Sequence, residues 1–279
     1  MGRRWADCEP HVREWVERVC GTLTGALGPD HVGTYLHGSL ASGSFHLPKS
    51  DVDVLFVVER PLPPDARRRF ARTAVEATRF RPTVAGLECS VVLRQELEHP
   101  RHPMPFEVHF GEDHVPDILA DRVDWIASGT DGDLAAHVQA ICEFGVALDG
   151  PPVTDLFRPP RRADFLDAIL ADSDWIVEGE HILESPFYAV LNLARVLWVL
   201  EGASERLVPS MEEAGEWLLR TVPAELRPVL RTALEVYRDG TPVGPEECRT
   251  GGRDWAREPL LRFRDWGRQR LESGRGSGG

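Results

Sequence analysis

The chain has 279 residues, of which 42% are hydrophobic and 28% are charged, with a formal net charge of −13 at pH 7. This composition is typical of a globular protein of one large or two ordinary domains, and no apolar run approaches the length of a membrane span. The acidic charge argues against a nucleic-acid binder, whose surface would be basic, and is compatible with a cationic small-molecule partner.

The N-terminal residues and the cysteines predict a cytoplasmic protein. Asp7, Glu9 and Glu14 follow soon after the first arginines, so no uninterrupted apolar signal region is present. The five cysteines are scattered without a CxxC pair, which favours reduced thiols over a disulfide framework or a zinc site. We expect no membrane partner and a monomer.

The first part of the chain alternates strand and helix patterns. In chain order, the sequence predicts a helix at 10–27, strands at 33–36 and 52–58, a helix at 66–80 and a strand at 87–93. The strand at 33–36 runs into a Gly-Ser loop. Strand, strand, helix, strand is the beginning of an α/β domain.

The second part of the chain reads as helical. Apolar spacing predicts helices at 134–148, 162–177, 185–200, 211–221, 224–237 and 255–271. The proline-rich stretch 150-GPPVTDLFRPPRR-162 favours a boundary, because proline disfavours the continuation of either element. We therefore predict one domain at 1–150, a helical domain at 151–272 and a disordered tail at 273–279.

Two aspartates stand at the head of the second predicted strand, in 51-DVDVLFVV-58. By the two-residue period of a strand, Asp51 and Asp53 project from one face, where they can share a divalent cation. Glu88, on the next predicted strand, is a third acid that can point into the same cleft. Two carboxylates on a buried strand imply a cation, hydrogen-bond donors or an open cleft, since an unpaired buried charge is costly.

The Gly38-Ser39 pair precedes these aspartates and is a candidate phosphate-binding turn. Glycine lets the backbone approach a phosphate closely, and Ser39 adds a hydroxyl and an N–H; Ser50 is a further candidate for nucleotide binding. The stretch 43-GSFHLPKS-50 is not a P-loop, since it precedes a strand. Three acids around Mg²⁺ beside such a loop are suited to in-line displacement at phosphorus.

The Gly-Ser pair, the loop and the Asp-x-Asp pair resemble the nucleotidyltransferase superfamily of DNA polymerase β. More closely, 37-HGSLASGSFHLPKSDVDVLFVV-58 is similar to the aminoglycoside (3'')(9) adenylyltransferases, which modify streptomycin and spectinomycin. The likeness continues through 101-RHPMPFEVHFGE-112, 132–157, 190–198 and 217–240. It implies a polymerase β-like α/β nucleotidyltransferase domain with a mixed sheet, an all-α helical-bundle C-terminal domain, and an active site in the cleft between them.

The resemblance also implies roles for individual residues. Asp51 and Asp53 are expected to bind Mg²⁺, and Ser39 to contact the triphosphate of ATP. Glu88 is expected to act as the general base for the accepting hydroxyl, and Arg195 to reach the nucleotide phosphates. These roles are chemically consistent, because a carboxylate accepts the hydroxyl proton and an arginine stabilises the developing charge.

The resemblance also implies an acceptor-binding region, and the sequence departs from the family pattern at two positions. The antibiotic is expected near 174-DWIVEGEHILE-184, where Trp175 can stack on a ring and Glu178, Glu180 or Glu184 can meet a cation; the alternative is that Trp175 and Ile176 are core residues. A lysine expected to contact ATP is Ser210 here, which leaves the nucleotide open, with Arg206 or Arg220 as substitutes. An aromatic residue expected after Phe-Gly-Glu is Asp113, which leaves the acceptor pocket open.

Other motifs are weaker. The pairs His99/His102 and His109/His114 invite a zinc interpretation, but prolines interrupt the first pair and no cysteine lies nearby, so we favour solvated loop histidines.

The predicted reaction is transfer of AMP from MgATP to a hydroxyl of an aminoglycoside or aminocyclitol, with release of pyrophosphate. Two alternatives stay open: a nucleotidyltransferase for another small molecule or a protein, and a non-catalytic ligand-binding relative. A nucleic-acid-directed transferase is disfavoured by the charge.

Overall fold

The computed structural model describes residues 2–47 and 49–276, and its chain divides into two compact units. The first unit runs from Arg3 to Phe165, and the second contains the residues from Leu166 onward. The helices are α1 (Pro10–Leu27), α2 (Gly38–Ser42), α3 (Pro64–Ala77), α4 (Arg94–Glu98), α5 (Val115–Leu119), α6 (Leu134–Phe144), α7 (Val153–Leu156), α8 (Arg162–Val177), α9 (Pro186–Leu200), α10 (Met211–Thr221), α11 (Arg227–Arg238) and α12 (Arg257–Gly276).

The first unit contains a five-stranded mixed sheet. The strands are β1 (His31–Leu36), β2 (Val52–Val58), β3 (Leu87–Leu93), β4 (Met104–Phe106), β5 (Val108–Phe110), β6 (Gly129–Asp131) and β7 (Val146–Asp149). The sheet order is β5-β3-β2-β1-β7, and β4 pairs separately with β6. The β2–β3 pair is parallel and the other pairs are antiparallel, so the sheet is mixed, as the resemblance in the sequence implies.

The central strand β2 is buried on both faces by different helices. Val54, Phe56 and Val58 belong to the apolar cluster that includes residues of α1 and α3. The intervening residues Leu55 and Val57 belong to a second cluster with residues of α6. This alternation explains the continuous apolar run of β2, and full burial of each large side chain contributes about 1.5–3 kcal/mol.

The second unit is built around α9. Most of the α9 side chains are buried, and α10, α11 and α12 all pack against this helix. A helix that is apolar nearly all round is expected at the centre of a bundle, since no face of it is suited to water. Residues of all these helices form one apolar cluster. The helical reading of this part of the sequence therefore agrees with the structure.

Several element boundaries differ from the sequence-based predictions. The helix predicted at 134–148 is wrong beyond Phe144, because 146–149 pairs with β1 as strand β7. The Gly-Ser loop begins with the short helix α2, and β4, β5 and β6 were not predicted. The units divide between Phe165 and Leu166, within the bounds of α8, whereas the sequence-based boundary lies at 150/151 and stays a prediction about domains.

The C-terminal segment is helical further than expected. The tail predicted to be disordered begins at residue 273, but α12 continues to Gly276, and 277–279 lie outside the described residues. Arg275 contributes to this order by donating from Nη2 to Asp174 Oδ1 at 2.6 Å. Among the described helices, none is long and apolar enough to cross a membrane.

Candidate active site

Three carboxylates converge at the start of two adjacent parallel strands. Asp53 on β2 and Glu88 on β3 are direct neighbours in the register, and Asp51 immediately precedes β2. Register partners in a sheet project to the same face, and the two-residue period brings Asp51 to that face too. Each of the three offers a carboxylate oxygen, and these oxygens lie within 4.8 Å of one another.

The electrostatics of this acid trio favour a bound cation. Burial raises the pKa of Glu88 to about 8, and the negative charge of Asp51 contributes to the same shift. A divalent cation would offset this like-charge repulsion, and carboxylate oxygens are the ligands that Mg²⁺ prefers. The residues present therefore fit a divalent metal ion.

The Gly-Ser segment lies directly against Asp53. The backbone N–H of His37 donates to the Asp53 carbonyl oxygen at 3.0 Å. Gly38 has φ +62°, and a Cβ atom at this position would overlap the Asp53 carboxylate. Glycine is required here by both the backbone conformation and this close approach. The Ser39 hydroxyl oxygen is buried and has no hydrogen-bond partner within the described residues, so its donor is available to a ligand.

Ser50 has a structural contact in the loop before the aspartates. Its hydroxyl accepts a hydrogen bond from the His46 backbone N–H at 3.0 Å, and its own N–H donates to the His46 carbonyl at 3.0 Å. The side chain is buried. These bonds close the turn that leads into Asp51, and the predicted contact of Ser50 with the nucleotide stays a prediction.

Two further acids approach the trio and were missed in the sequence analysis. Asp131 ends β6 and Asp133 directly precedes α6, and both charges raise the pKa of Glu88, as does the charge of Asp113. The backbone N–H of Asp133 donates to Asp131 Oδ1 at 2.8 Å. The available signal was the spacing itself, because 131-DGD-133 repeats the Asp-x-Asp pattern.

Two histidines lie close to each other next to the Gly-Ser segment: His37 directly precedes Gly38, and His137 belongs to α6. The rings of His37 and His137 are 4.9 Å apart, and His37 is almost completely buried. Burial, with a smaller contribution from the charge of His137, lowers the pKa of His37 well below its ordinary value. His37 is therefore a neutral side chain at neutral pH.

The zinc interpretation of the histidine pairs gains no support. His109 lies beside Ser90 in the sheet register, and its Nδ1 is 2.9 Å from the Ser90 hydroxyl. Within the described chain, the acid trio is the one group of three or more potential metal ligands that comes together.

The remaining predicted site residues belong to the second unit. Arg195 lies on α9 and donates from Nη1 to Asn192 Oδ1 at 3.4 Å. Trp175 is 41% exposed and stacks on the His181 ring at 4.5 Å, whereas Ile176 is fully buried. The core alternative therefore holds for Ile176 and fails for Trp175.

The acidic residues beside Trp175 differ in their contacts. Glu178 and Glu184 are exposed, whereas Glu180 forms an ion pair with Arg257 of α12. Any cationic ligand that bound Glu180 would have to compete with this arginine.

The structure gives Ser210 a helix-capping role. It is the N-cap of α10, where its hydroxyl accepts from the Glu213 N–H at 3.1 Å and the Glu213 carboxylate accepts from the Ser210 N–H at 2.9 Å. This reciprocal pair satisfies two backbone donors that the helix end leaves without partners. Arg206 forms an ion pair with Glu213 at 2.7 Å, while Arg220 lies in the last turn of α10.

Comparison with known proteins connects this geometry to a group of enzymes. Residues 155–250 match the model of the aminoglycoside adenylyltransferase C-terminal domain. An aminoglycoside (3'')(9) adenylyltransferase of Escherichia coli is 26% identical over 85% of this chain and 88% of its own length. A spectinomycin 9-adenylyltransferase of Staphylococcus aureus is 27% identical over 76% of this chain and 80% of its own length.

A solved structure has the same fold. The chain matches spectinomycin adenyltransferase AAD(9) from Enterococcus faecialis, crystallised with ATP and spectinomycin, with a TM-score of 0.77 and 18% identity. The match covers 94% of this chain and 99% of that one. The mixed sheet and its helices thus define the adenylyltransferase fold class. The resemblance read from the sequence is confirmed: the chain is similar to aminoglycoside (3'')(9) and spectinomycin 9-adenylyltransferases.

Proposed function

We propose that the protein transfers AMP from ATP to a hydroxyl group of an aminoglycoside or aminocyclitol antibiotic and releases pyrophosphate. The observation that carries this proposal is the convergence of Asp51, Asp53 and Glu88 on one face of β2 and β3. The names of its relatives, which specify aminoglycoside (3'') (9) adenylyltransferase or spectinomycin 9-adenylyltransferase, support this acceptor class.

The acid trio divides the chemistry between binding and proton transfer. Asp51 and Asp53 would hold Mg²⁺, which supplies charge neutralisation at the phosphates when it is bound. Glu88 accepts the hydroxyl proton while the acceptor oxygen forms its bond to the α-phosphorus and the bond to the leaving pyrophosphate breaks. A cation held by Asp51 and Asp53 would lower the raised pKa of Glu88 and so favour the carboxylate form that a general base needs.

The phosphates are assigned to the Gly-Ser segment and to one arginine. The buried Ser39 hydroxyl, which has no protein partner among the described residues, donates to the triphosphate. Gly38 permits the segment to lie against Asp53, so that the phosphate contacts and the metal ligands share one location. Arg195 adds a positive charge for the phosphates, and Ser50 keeps the turn before Asp51 in place.

For the acceptor, the exposed Trp175 offers a flat apolar surface and Glu178 an exposed negative charge. The net charge of −13 also favours the approach of a cationic antibiotic. Glu180 contributes to this surface only when its ion pair with Arg257 opens.

The test is mass spectrometry of the purified protein incubated with MgATP and, separately, streptomycin, spectinomycin and other aminoglycosides. A mass gain of one AMP on a drug, absent with Asp53→Asn, is the expected result. Asp65→Asn, at an exposed position in the first turn of α3, is the matched control and should retain activity.

Two other outcomes separate the alternatives. ATP binding without modification of any drug would remove the antibiotic assignment and favour another acceptor or a non-catalytic relative. Full activity of Asp53→Asn under the same metal concentration would contradict the mechanism itself.

A further inference from the structure

A chain of polar side chains connects two helices of the second unit and ends at Arg195. Asp172 of α8 is the central acceptor: its Oδ2 accepts from the Tyr188 hydroxyl at 3.1 Å and from the Asn192 side-chain amide. The carbonyl oxygen of that amide in turn accepts from Arg195 Nη1 at 3.4 Å. Tyr188, Asn192 and Arg195 follow one another at three- and four-residue spacing and so share one face of α9.

The orientation of the Asn192 amide is determined by Asp172. An ionised carboxylate only accepts hydrogen bonds, so the amide must turn its NH₂ group toward Asp172. Its carbonyl oxygen then faces Arg195, which only donates. If the amide were reversed, NH₂ would face a guanidinium and oxygen would face a carboxylate, and neither contact would form a hydrogen bond. Because Asn192 is only 7% exposed, a water molecule could not easily replace either hydrogen-bond partner.

Arg195 keeps most of its donors available. A guanidinium has five N–H donors, and the bond to Asn192 is the one hydrogen bond that Arg195 makes within the described chain. Its Nε is buried and has no hydrogen-bond partner among the residues that the structure describes. An arginine held at one end with its other donors unused is suited to an anion with several oxygens, such as a phosphate group.

We propose that Asp172 and Asn192 are positioning residues that fix the guanidinium of Arg195 for the phosphates of the nucleotide. This inference rests on the proposed function, in which Arg195 is a phosphate contact. The benefit is preorganisation: a guanidinium held in one orientation loses less conformational entropy when the nucleotide binds.

Asp172 also supplies a negative charge that partly balances the positive charge of Arg195. Burial raises the pKa of Asp172, while the Tyr188 hydrogen bond and the charge of Arg195 act in the opposite direction. Asp172 is thus a partly desolvated acid in the field of a cation, and it balances part of the arginine charge while the phosphate site is empty.

The experiment measures MgATP binding by isothermal titration calorimetry, together with KM for ATP, KM for the acceptor and kcat. Asp172→Ala and Asn192→Leu should each weaken ATP binding about tenfold, the effect of losing one charge-assisted hydrogen bond. KM for the acceptor and kcat should change by less than about threefold. A purely structural defect would instead move all of these quantities together.

Two controls isolate the orientation of Asn192. Tyr188→Phe removes the other hydrogen bond to Asp172 but leaves the Asn192 contact in place, so ATP binding should stay within about twofold of the parent protein. Asp167→Ala, at an exposed position on the same helix α8, should have no effect on ATP binding.

An exchange of the two side chains provides the rescue. In the double variant Asp172→Asn/Asn192→Asp, the new amide donates to the new carboxylate, which still accepts from Arg195. ATP binding should return to within about threefold of the parent protein, whereas Asn192→Asp alone places two carboxylates side by side and should weaken it. If Asp172→Ala fails to fold, Asn192→Leu and this exchange carry the test.

The outcomes distinguish this inference from the proposed function. Parent-like ATP binding by Arg195→Met, or by folded Asp172→Ala, would overturn the positioning role, as would a folded exchange variant that is not rescued. If the parent protein binds ATP but transfers no AMP to any drug, the proposed function fails, while the ATP affinities of the variants still decide the positioning role.

Discussion

The acids of the candidate site and the charged residues on the surface of the helical unit are arranged in opposite ways. In the α/β unit, acids converge, and Asp51, Asp131 and Asp133 all act on Glu88 with charges of the same sign. In the helical unit, opposite charges pair on the surface, as Arg238 does with Glu212 and Glu216. Convergence of like charge is unfavourable unless a ligand offsets it, whereas exposed pairs contribute little to stability. The contrast shows where to look for a binding site: like charges that are brought close together indicate a ligand site, whereas exposed pairs of opposite charge indicate a structural role.

The strongest test of this contrast is Glu88→Gln. The substitution keeps the shape of the side chain but removes the proton acceptor, so kcat should fall by about 10²–10⁴-fold. ATP affinity should change only a few-fold. Steady-state kinetics and calorimetry measure the two effects. Glu98→Gln, at an exposed ion pair with Arg94, is the control, and a comparable loss of kcat there would invalidate the comparison.

The second test compares a buried with an exposed ion pair. Glu107 accepts from Arg67 at 2.9 Å and from the Leu62 N–H at 2.7 Å, and both ionic side chains are less than a tenth exposed. Glu107→Gln leaves the Arg67 charge buried without its counter-ion and should reduce the free energy of unfolding by about 3 kcal/mol or more.

Glu258→Gln breaks the exposed pair with Arg262 in α12 and should cost less than about 1 kcal/mol. Urea denaturation of both variants measures the difference. Equal losses would show that burial does not decide the strength of these pairs.

A third test separates backbone strain from contact with the acid trio. Gly38 and Gly28 have φ values of +62° and +66°, but only at Gly38 would an added Cβ meet a side chain, the Asp53 carboxylate. Gly38→Ala and Gly28→Ala should each destabilise the fold by about 1–2 kcal/mol. Only Gly38→Ala should also reduce kcat/KM, by about tenfold or more. If Gly28→Ala lost as much activity, the loss would be a general consequence of strain.

The smallest expected effect is a pH dependence of stability. Burial lowers the pKa of His31 from its ordinary value of 6.5, although Asp149 opposes the shift. Below pH 6.5 the unfolded chain therefore binds a proton more readily than the folded chain. The stability contribution of His31 is present above that pH and is lost as the pH falls through the lower folded value.

His31→Gln should flatten the decline of the unfolding free energy between pH 7 and 5, and this change should be smaller than those of the preceding tests. His11→Gln, exposed on α1, is the control. A steeper decline in His31→Gln would contradict the assigned direction of the pKa shift.

The sequence predicts best what a local pattern determines. The two-residue period placed Asp51 and Asp53 on one face, because strand geometry alone decides which side chains of a strand share a face, and Glu88 was predicted as a third acid in the same cleft. The parallel register of β2 and β3 then completed the site. Asp131 and Asp133 were missed because they reach Glu88 through tertiary structure, by way of the β4–β6 pair and the start of α6.

Other differences have the same physical origin. The strand β7 forms only because β1 offers an edge to pair with, a condition that the helical pattern of 134–148 does not contain. Ser210 was interpreted as a missing nucleotide contact, and its capping role becomes visible once the start of α10 is known. Which acceptor oxygen reacts depends on the shape of a bound complex, and no residue pattern encodes that shape.

The parallel register of β2 and β3 makes enzymatic turnover a test of correct folding. A slip of one residue would send Asp53 into the apolar layer under α1 and α3 and would remove it from Glu88. A chain with that error has no acid trio, even if its secondary structure content is unchanged. In a population of refolded or heat-aged molecules, specific activity should therefore report the fraction of molecules whose β2–β3 register is correct. Circular dichroism measures only secondary structure content and cannot report that fraction.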